Sequence, residues 1–260
     1  LKKYHIISEE KLHRMIDERV ANQILEANNN HERELLMKQA NIRSLQAQIN
    51  PHFLYNALEC IRAQAIIDGA EEIASITKAL SLFFRYNISM KGNLITLQDE
   101  FENVQNYMTI QQYRYKDRMS LEIRCDQHDA ELMDMLLPKL VLQPLVENSI
   151  VHGFRDMTSG AYIIISAEKI ANHTSIKVID NGKGMSIEEL NALRDKLRNQ
   201  ESILHDTQDQ NENGIALLNV NRRIQLFYGQ DYSMNITSCK GEGTQIELFL
   251  PRNEISNAYE

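Results

Sequence analysis

Residues 8 to about 68 contain no glycine and a single proline, Pro51, and are rich in Glu, Lys, Leu, Gln, Arg and Ala. A stretch of that length and composition reads as a long helix. Leu35, Ile42 and Ile49 fall seven apart with Leu45 between them, the spacing of a coiled-coil seam. Asn28, Asn29 and Asn30 interrupt the seam, and nearer the start Leu12, Ile16, Val20 and Ile24 recur every four, a stutter-like break. A plain amphipathic helix on a globular core is the competing reading. A parallel dimer seam is preferred because the polar faces are too wide for a buried helix. Pro51 should kink the helix or disturb its hydrogen bonding. Asp68-Gly69 marks a turn. A second helical pattern runs from about Glu71 to Ile88, with Ile73, Ile76, Leu80, Phe83 and Phe84 on one face. Two helices joined by a tight turn make a helical hairpin, and two hairpins side by side make a four-helix bundle, so this part is expected to be completed by dimerisation.

The length, 260 residues, suggests roughly two domains at about 150 residues each. A hydrophobic fraction of 43% with 25% charged residues excludes wholesale disorder. The net charge of −8 argues against a nucleic-acid-binding surface, which needs clustered Lys and Arg. Cys60, Cys125 and Cys239 are far apart and odd in number, giving neither a disulfide framework nor a zinc spacing. A reducing compartment follows as the simpler expectation. No run of about 18 apolar residues could span a membrane.

After Lys91-Gly92-Asn93 the texture changes. Thr96 followed by Asp99 and Glu100 resembles a helix start, continued by Phe101, Val104, Tyr107 and Met108. Strands are expected at 121–124, 162–167, 175–179, 233–237 and 245–250, with helices at 139–152, 187–198 and 215–228. Strands and helices mix without strict alternation, so this half reads as α+β, one sheet covered by helices. The polar segment 199–213 reads as a mobile loop.

Five windows could carry chemistry. Asp180-Asn181-Gly182-Lys183-Gly184-Met185 follows a strand: a carboxylate can accept a hydrogen bond from an amine while glycines let the backbone approach a flat ring. By itself this window is also a common turn. In Leu145-Val146-Glu147-Asn148-Ser149-Ile150-Val151-His152-Gly153, Asn148 and His152 share one helix face. Asn is a poor helix-interior residue, so Asn148 beside Glu147 suggests a ligand or ion task, such as holding Mg²⁺ with waters and phosphates. The alternative is a solvated polar face, which explains Glu147 well and Asn148 poorly. Gly214 enters a helix N-terminus that suits phosphate. Gly241-Glu242-Gly243-Thr244 precedes the last strand and alone reads as a hairpin turn. The fifth is Gln48-Ile49-Asn50-Pro51-His52-Phe53-Leu54-Tyr55-Asn56. A helix that tolerates a Pro, which costs about 3 kcal/mol, beside His52 suggests that this turn is exposed for use. Asn56, four residues on, can hydrogen-bond the imidazole.

Together these windows resemble a sensor histidine kinase of the LytS/YesM type, with its QINPHFLYN-like phosphoacceptor box and Bergerat-type ATP-binding domain. The resemblance covers about residues 45 to 252 and includes ITLQDEFENVQNYMTIQQYRYKDR. It implies an α + α/β sandwich. A helical-hairpin dimerisation domain, a four-helix bundle in the dimer, would be joined to an α+β Bergerat ATP-binding domain. The corresponding division is a coiled-coil signalling helix at 1–47, a dimerisation and histidine phosphotransfer domain at 48–91, a catalytic ATP-binding domain at 92–252 and a tail at 253–260.

By resemblance, His52 is phosphorylated from ATP and Asn56 orients it. Asn148 coordinates Mg²⁺, with Glu147 and His152 beside the phosphates. Asp180 binds the adenine amino group, Gly182 and Gly184 shape that pocket, and Gly214 closes on the phosphates. Gly241, Gly243 and Thr244 complete the adenine side, and 199–213 is the ATP lid. In the superfamily's ATPases a Glu four residues before the metal Asn activates water; here that position is Pro144, so ATP should be held for transfer and not rapidly hydrolysed. Val151 and Ala216 stand where relatives often place a Lys and a second Gly, which points to weaker ATP binding or slower autophosphorylation. The implied partners are a second copy of the chain and a cytoplasmic response regulator with a receiver aspartate. Upstream membrane and sensor segments outside this chain would make it the cytoplasmic portion of a bacterial membrane protein. Two alternatives stand beside this: a degenerate kinase acting as a nucleotide-sensing dimeric binding module, and a chaperone-like ATPase.

Overall fold

The computed structural model describes residues 51–88, 94–116, 118–198 and 215–252. The expected coiled coil, the lid segment with Gly214 and the tail lie outside the described residues. The chain divides into two units, Leu1–Leu54 and Tyr55–Glu260. Of the first, only the opening turn of a helix is described.

That helix, α1, runs Pro51–Ile67, and α2 runs Glu71–Ile88. The turn between them follows from Gly69. Its φ of 68° is left-handed, its N–H donates to the Ile66 carbonyl, and the next N–H, of Ala70, donates to the Ala65 carbonyl. This pair of bonds is a Schellman cap, which ends α1 and reverses the chain. Glu71 and Glu72 then start α2 where the helix dipole favours negative charge. Because α1 begins at the first described residue, the expected kink at Pro51 falls at the edge of what is described.

A short strand β1 (Leu94–Thr96) leads into α3 (Leu97–Tyr115). Thr96 caps α3: its hydroxyl accepts from the Asp99 N–H at 3.1 Å, and the Asp99 carboxylate accepts from the Thr96 N–H at 3.1 Å. There follow β2 (Met119–Arg124), a helical turn α4 (Ala130–Met133), β3 (Leu136–Pro138) and α5 (Leu142–Asn148). A π-helical turn, Ser149–Gly153, continues α5. Then come β4 (Ala161–Ile170), β5 (His173–Asp180), α6 (Ile187–Arg198), α7 (Ile215–Tyr228), β6 (Met234–Cys239) and β7 (Gly243–Pro251).

Strands β2-β4-β5-β7-β6 form one sheet in that order, with β2 parallel to β4 and the other pairs antiparallel; β1 and β3 pair apart from it. Ile165, Val178, Ile246 and Ile236 are register partners across four strands, and all are buried. This apolar face packs against Phe101, Val104, Leu142, Leu145, Val146, Val220 and Ile224 from α3, α5 and α7. The opposite face is polar: Lys177 pairs with Glu168 at 3.1 Å and Glu247 at 3.5 Å. One sheet covered on one face by helices is the α/β sandwich expected of the second half. Among the described residues no helix is long and apolar enough to cross a membrane.

The expected helix over 139–152 is shorter in its α part. Residues 139–141 form a loop in which Leu140 has φ 61°, and the α-helical bonding starts at Leu142. No side chain of this segment caps α5. The cap comes instead from Glu100 of α3, whose carboxylate accepts N–H bonds from Leu140 at 2.6 Å, Val141 at 3.0 Å and Leu142 at 2.6 Å. Strands β1 and β3, of three residues each, and the single turn α4 are too short to leave a periodic pattern. Replacing Thr96 with Ala should remove the α3 cap and lower stability by about 1 kcal/mol in urea unfolding, without changing the shape of the far-UV spectrum.

Candidate functional site

Strand alternation decides where Asp180 points. Ile176, Val178 and Asp180 lie on one face of β5, so the carboxylate that ends the strand faces the helical layer and is buried. Its Oδ2 accepts from the Ser149 hydroxyl at 2.8 Å and its Oδ1 from the Gly182 N–H at 2.8 Å. The backbone of Thr244, its register partner on β7, also favours the charged carboxylate. A carboxylate has about four acceptor positions, so at least one remains for a donor arriving in the cleft. Burial pushes the Asp180 carboxyl above the ordinary carboxylate range, and the bonds from Ser149, Gly182 and Thr244 pull it part-way back.

The cleft beside Asp180 has a volume of about 330 Å³. Asn148, His152 and Gly153 form one wall and Asp180 and Thr244 the floor; Met185, Leu193 and Leu217 supply apolar sides. Lys183 and Lys196 add positive charge at its border. The Asn148 side-chain amide nitrogen is buried with no hydrogen-bond partner. A buried orphan donor is costly, by about 1–3 kcal/mol, and a carboxamide at a cleft wall is relieved by a polar ligand. A largely apolar cleft lined by the buried Asp180 carboxylate, by Glu189, by an amide and by two lysines suits a heteroaromatic amine attached to an anion.

Three of the glycines carry a task beside the expected approach to a ring. A Cβ on Gly182 would sit 2.5 Å from the Gly153 Cα and 2.8 Å from Asp180 Oδ1. On Gly184, at φ 61°, it would meet the Cys239 carbonyl oxygen at 2.0 Å, and on Gly243, at φ 108°, the Asp180 carbonyl oxygen at 1.9 Å. Their bareness lets three backbone segments pack against one another behind the cleft, held by Lys183 N–H to Gly153 O at 3.0 Å and Gly241 N–H to Lys183 O at 2.7 Å. Gly241 has open space around it and serves the turn alone, at φ 87°.

Of the residues singled out from sequence, Asn148, His152, Asp180, Gly184 and Thr244 line the cleft, and Gly182 and Gly243 support it from behind. Glu147, expected beside phosphates, accepts from Gln143 Nε2 at 2.8 Å and is not in the cleft lining. Its position follows from the helix: Gln143 lies one turn earlier and is itself held by Asn103 Nδ2 at 2.7 Å. His52 and Asn56 stand exposed on α1. Gly214 lies outside the described residues. Sequence reasoning does not single out Ser149, Leu193 or Lys196. The spacing of Glu189, Leu193 and Lys196 on α6 marks one helical face, and Ser186-x-x-Glu189 is a capping box confirmed by reciprocal bonds of 2.8 and 3.2 Å.

A family profile described as histidine kinase matches residues 40–119. A second, described as histidine kinase-, DNA gyrase B- and HSP90-like ATPase, matches residues 133–254. The chain is 36% identical to the sensor histidine kinase YesM of Bacillus subtilis over 90% of its own length and 37% of that protein's. It is 38% identical to the sensor protein LytS of Oceanobacillus iheyensis, over 83% of this chain and 35% of LytS. The chain belongs to the LytS/YesM-type sensor histidine kinases. The sensor histidine kinase BtsS of Escherichia coli is 32% identical over 83% of this chain and 34% of its own length. This member of the family thus spans about a third of the length of the curated relatives it matches.

In this LytS/YesM-type chain, Asp180→Asn should separate the cleft's two properties. A group whose pKa is higher folded than unfolded withdraws stability as pH rises through the folded value. The variant should therefore gain stability over the parent as pH climbs past the ordinary carboxylate range, while ATP no longer raises its melting temperature. Thermal melts with and without nucleotide across that range check both outcomes.

Proposed function

We propose that this chain is the kinase core of a two-component sensor: it binds ATP with Mg²⁺ in the cleft, transfers the γ-phosphoryl group to His52 and passes it on to an aspartate of a response regulator. The observation that carries this reading is one chain holding both halves of the chemistry. A cleft floored by a carboxylate with a spare acceptor position and walled by an orphan amide accompanies an exposed His in the PHFLYN box.

Asp180 would accept the hydrogen bond of the adenine amino group, with Thr244 beside it and the Gly182, Gly184 and Gly243 contacts setting the depth of the slot. Asn148 would hold Mg²⁺ through its carboxamide oxygen, leaving the orphan amide NH₂ to donate to the ligand, with His152 near the phosphates and Gly214 closing on them. Mg²⁺ usually keeps several waters and takes ligand phosphates, so one side chain from the protein is enough to fit it. When bound it supplies charge neutralisation at the phosphates. The His52 imidazole nitrogen forms the new bond to phosphorus while the bond to the bridging oxygen breaks, ADP leaves with that electron pair, and the ring gives up its N–H proton to solvent. Asn56, one turn further along α1, would fix the ring. The resulting phosphoramidate is labile and suited to onward transfer.

The hairpin supports a dimer. Ile61, Ile66, Ile67, Ile73 and Leu82 are exposed on α1 and α2, where a second hairpin would bury them in a four-helix bundle. We place the chain on the cytoplasmic side of a bacterial membrane sensor, where its nucleotide and its response regulator are found.

Incubation with γ-labelled ATP and Mg²⁺ tests the reading. The parent should take up acid-labile, alkali-stable label, and His52→Gln and Asp180→Ala should each reduce it at least a hundredfold. Label surviving in His52→Gln refutes the phosphoacceptor assignment. Nucleotide binding without label would mark a binding module, and free phosphate without label an ATPase.

A further inference from the structure

Glu100 is fully buried, yet it carries no part of the proposed chemistry. Its carboxylate meets four donors. Oε1 accepts from the Leu140 N–H at 2.6 Å and from the Tyr86 hydroxyl; Oε2 accepts from the Val141 N–H at 3.0 Å and the Leu142 N–H at 2.6 Å. Four donors and no acceptor suit the ionised form, placed at the positive end of α5. Burial, the largest influence, leaves this carboxyl above the ordinary carboxylate range, and the bonds from Tyr86, Leu142, Leu140 and Val141 pull it only part-way back. Burial and the Glu100 charge push the Tyr86 phenol far up, so it stays a donor.

The loop that Glu100 grips is strained and held from two sides. Leu140 sits at φ 61°, uncommon for a branched side chain, and its carbonyl accepts from Arg223 of α7 at 2.8 Å. The Lys139 ammonium lies 4.8 Å from the centre of the Tyr86 ring. One turn along α3, Asn103 holds Gln143 of α5 at 2.7 Å. The second hairpin helix, α3 and the start of α5 therefore meet at one carboxylate, and α7 holds the same loop through Arg223. The helix it starts carries Asn148, and the π-helical turn beyond carries His152 and Gly153.

We propose that Glu100 is a positioning residue: it sets where α5 sits, hence where Asn148 stands in the cleft, and Tyr86 ties the second hairpin helix to that setting. This rests on the nucleotide-binding and kinase reading above. A shift of α2 moves the Tyr86 hydroxyl, and the carboxylate that receives it is the same one that holds Leu140, Val141 and Leu142. The hairpin and the nucleotide wall are thereby joined without any contact to nucleotide. In Glu100→Gln an amide NH₂ replaces one acceptor and confronts at least one of these N–H groups, so α5 must move. In Tyr86→Phe the three N–H bonds survive and only the tie to the hairpin is lost.

The test uses the 260-residue chain with Mg²⁺, a fluorescent ATP analogue for affinity, and γ-labelled ATP at saturation for the phosphorylation rate. Glu100→Gln should weaken the analogue's Kd about tenfold, the scale of one charge-assisted hydrogen bond, at a temperature where circular dichroism shows it folded. Tyr86→Phe should leave Kd within about twofold and slow phosphorylation several-fold, and adding it to Glu100→Gln should produce no further slowing. If Glu100→Gln does not fold, Glu100→Asp, which keeps the charge and withdraws it by one methylene, carries the same affinity expectation. A purely structural Glu100 would lower melting temperatures while leaving Kd and rate at parental values, and that result overturns the proposal. If the parent itself takes no label, the kinase reading fails, and the Kd comparison still decides for or against Glu100.

Discussion

A buried carboxylate at the start of α5 sets the geometry on which the cleft depends. Glu100 replaces the cap that the sequence around Val141 lacks, and in doing so it fixes a loop with a left-handed Leu140 that would otherwise relax. The wall of the cleft starts there. From Leu142 the helix runs through the buried Leu145 and Val146 to Asn148 and then widens into a π-helical turn. That turn brings Ser149 onto Asp180 and Gly153 against Gly182. A displacement of the helix start would therefore reach both the orphan amide and the carboxylate floor.

Behind the cleft the constraint is steric. Gly153, Gly182, Gly184 and Gly243 meet at distances that leave no space for a methyl group on Gly182, Gly184 or Gly243. Three chain segments from different parts of the sequence close on one another there, and the floor of the cleft is the surface they leave. The apolar sides come from the sheet core and from α6 and α7, so the same residues that stabilise the fold define the slot. Site and core are one packing problem here, because Ile246 belongs to both.

Much of this was legible in the residues. The Asp68-Gly69 turn, the Thr96 cap, the five strands of the large sheet and the helices α2, α3, α6 and α7 each leave a local signature, and each is found. The roles of the glycines and of Glu100 are not local. Gly182 needs to be bare because of Gly153, twenty-nine positions earlier, and Glu100 acts on backbone groups some forty residues away. No spacing rule links such partners. Glu147 is a different case: adjacency to Asn148 suggests a shared task, and in the structure its carboxylate accepts from Gln143, one turn earlier on the same helix.

The proposed chemistry joins two parts of one chain: the cleft that holds Asp180 and Asn148, proposed to take nucleotide, and a His in the first described turn of α1. Mapping the phosphate on the protein after incubation with ATP and Mg²⁺, by mass spectrometry kept at neutral to alkaline pH, addresses that joining most directly. The account predicts phosphate on His52 and on none of the other histidines. Phosphate at another residue, or nucleotide consumed with no phosphoprotein formed, would contradict it.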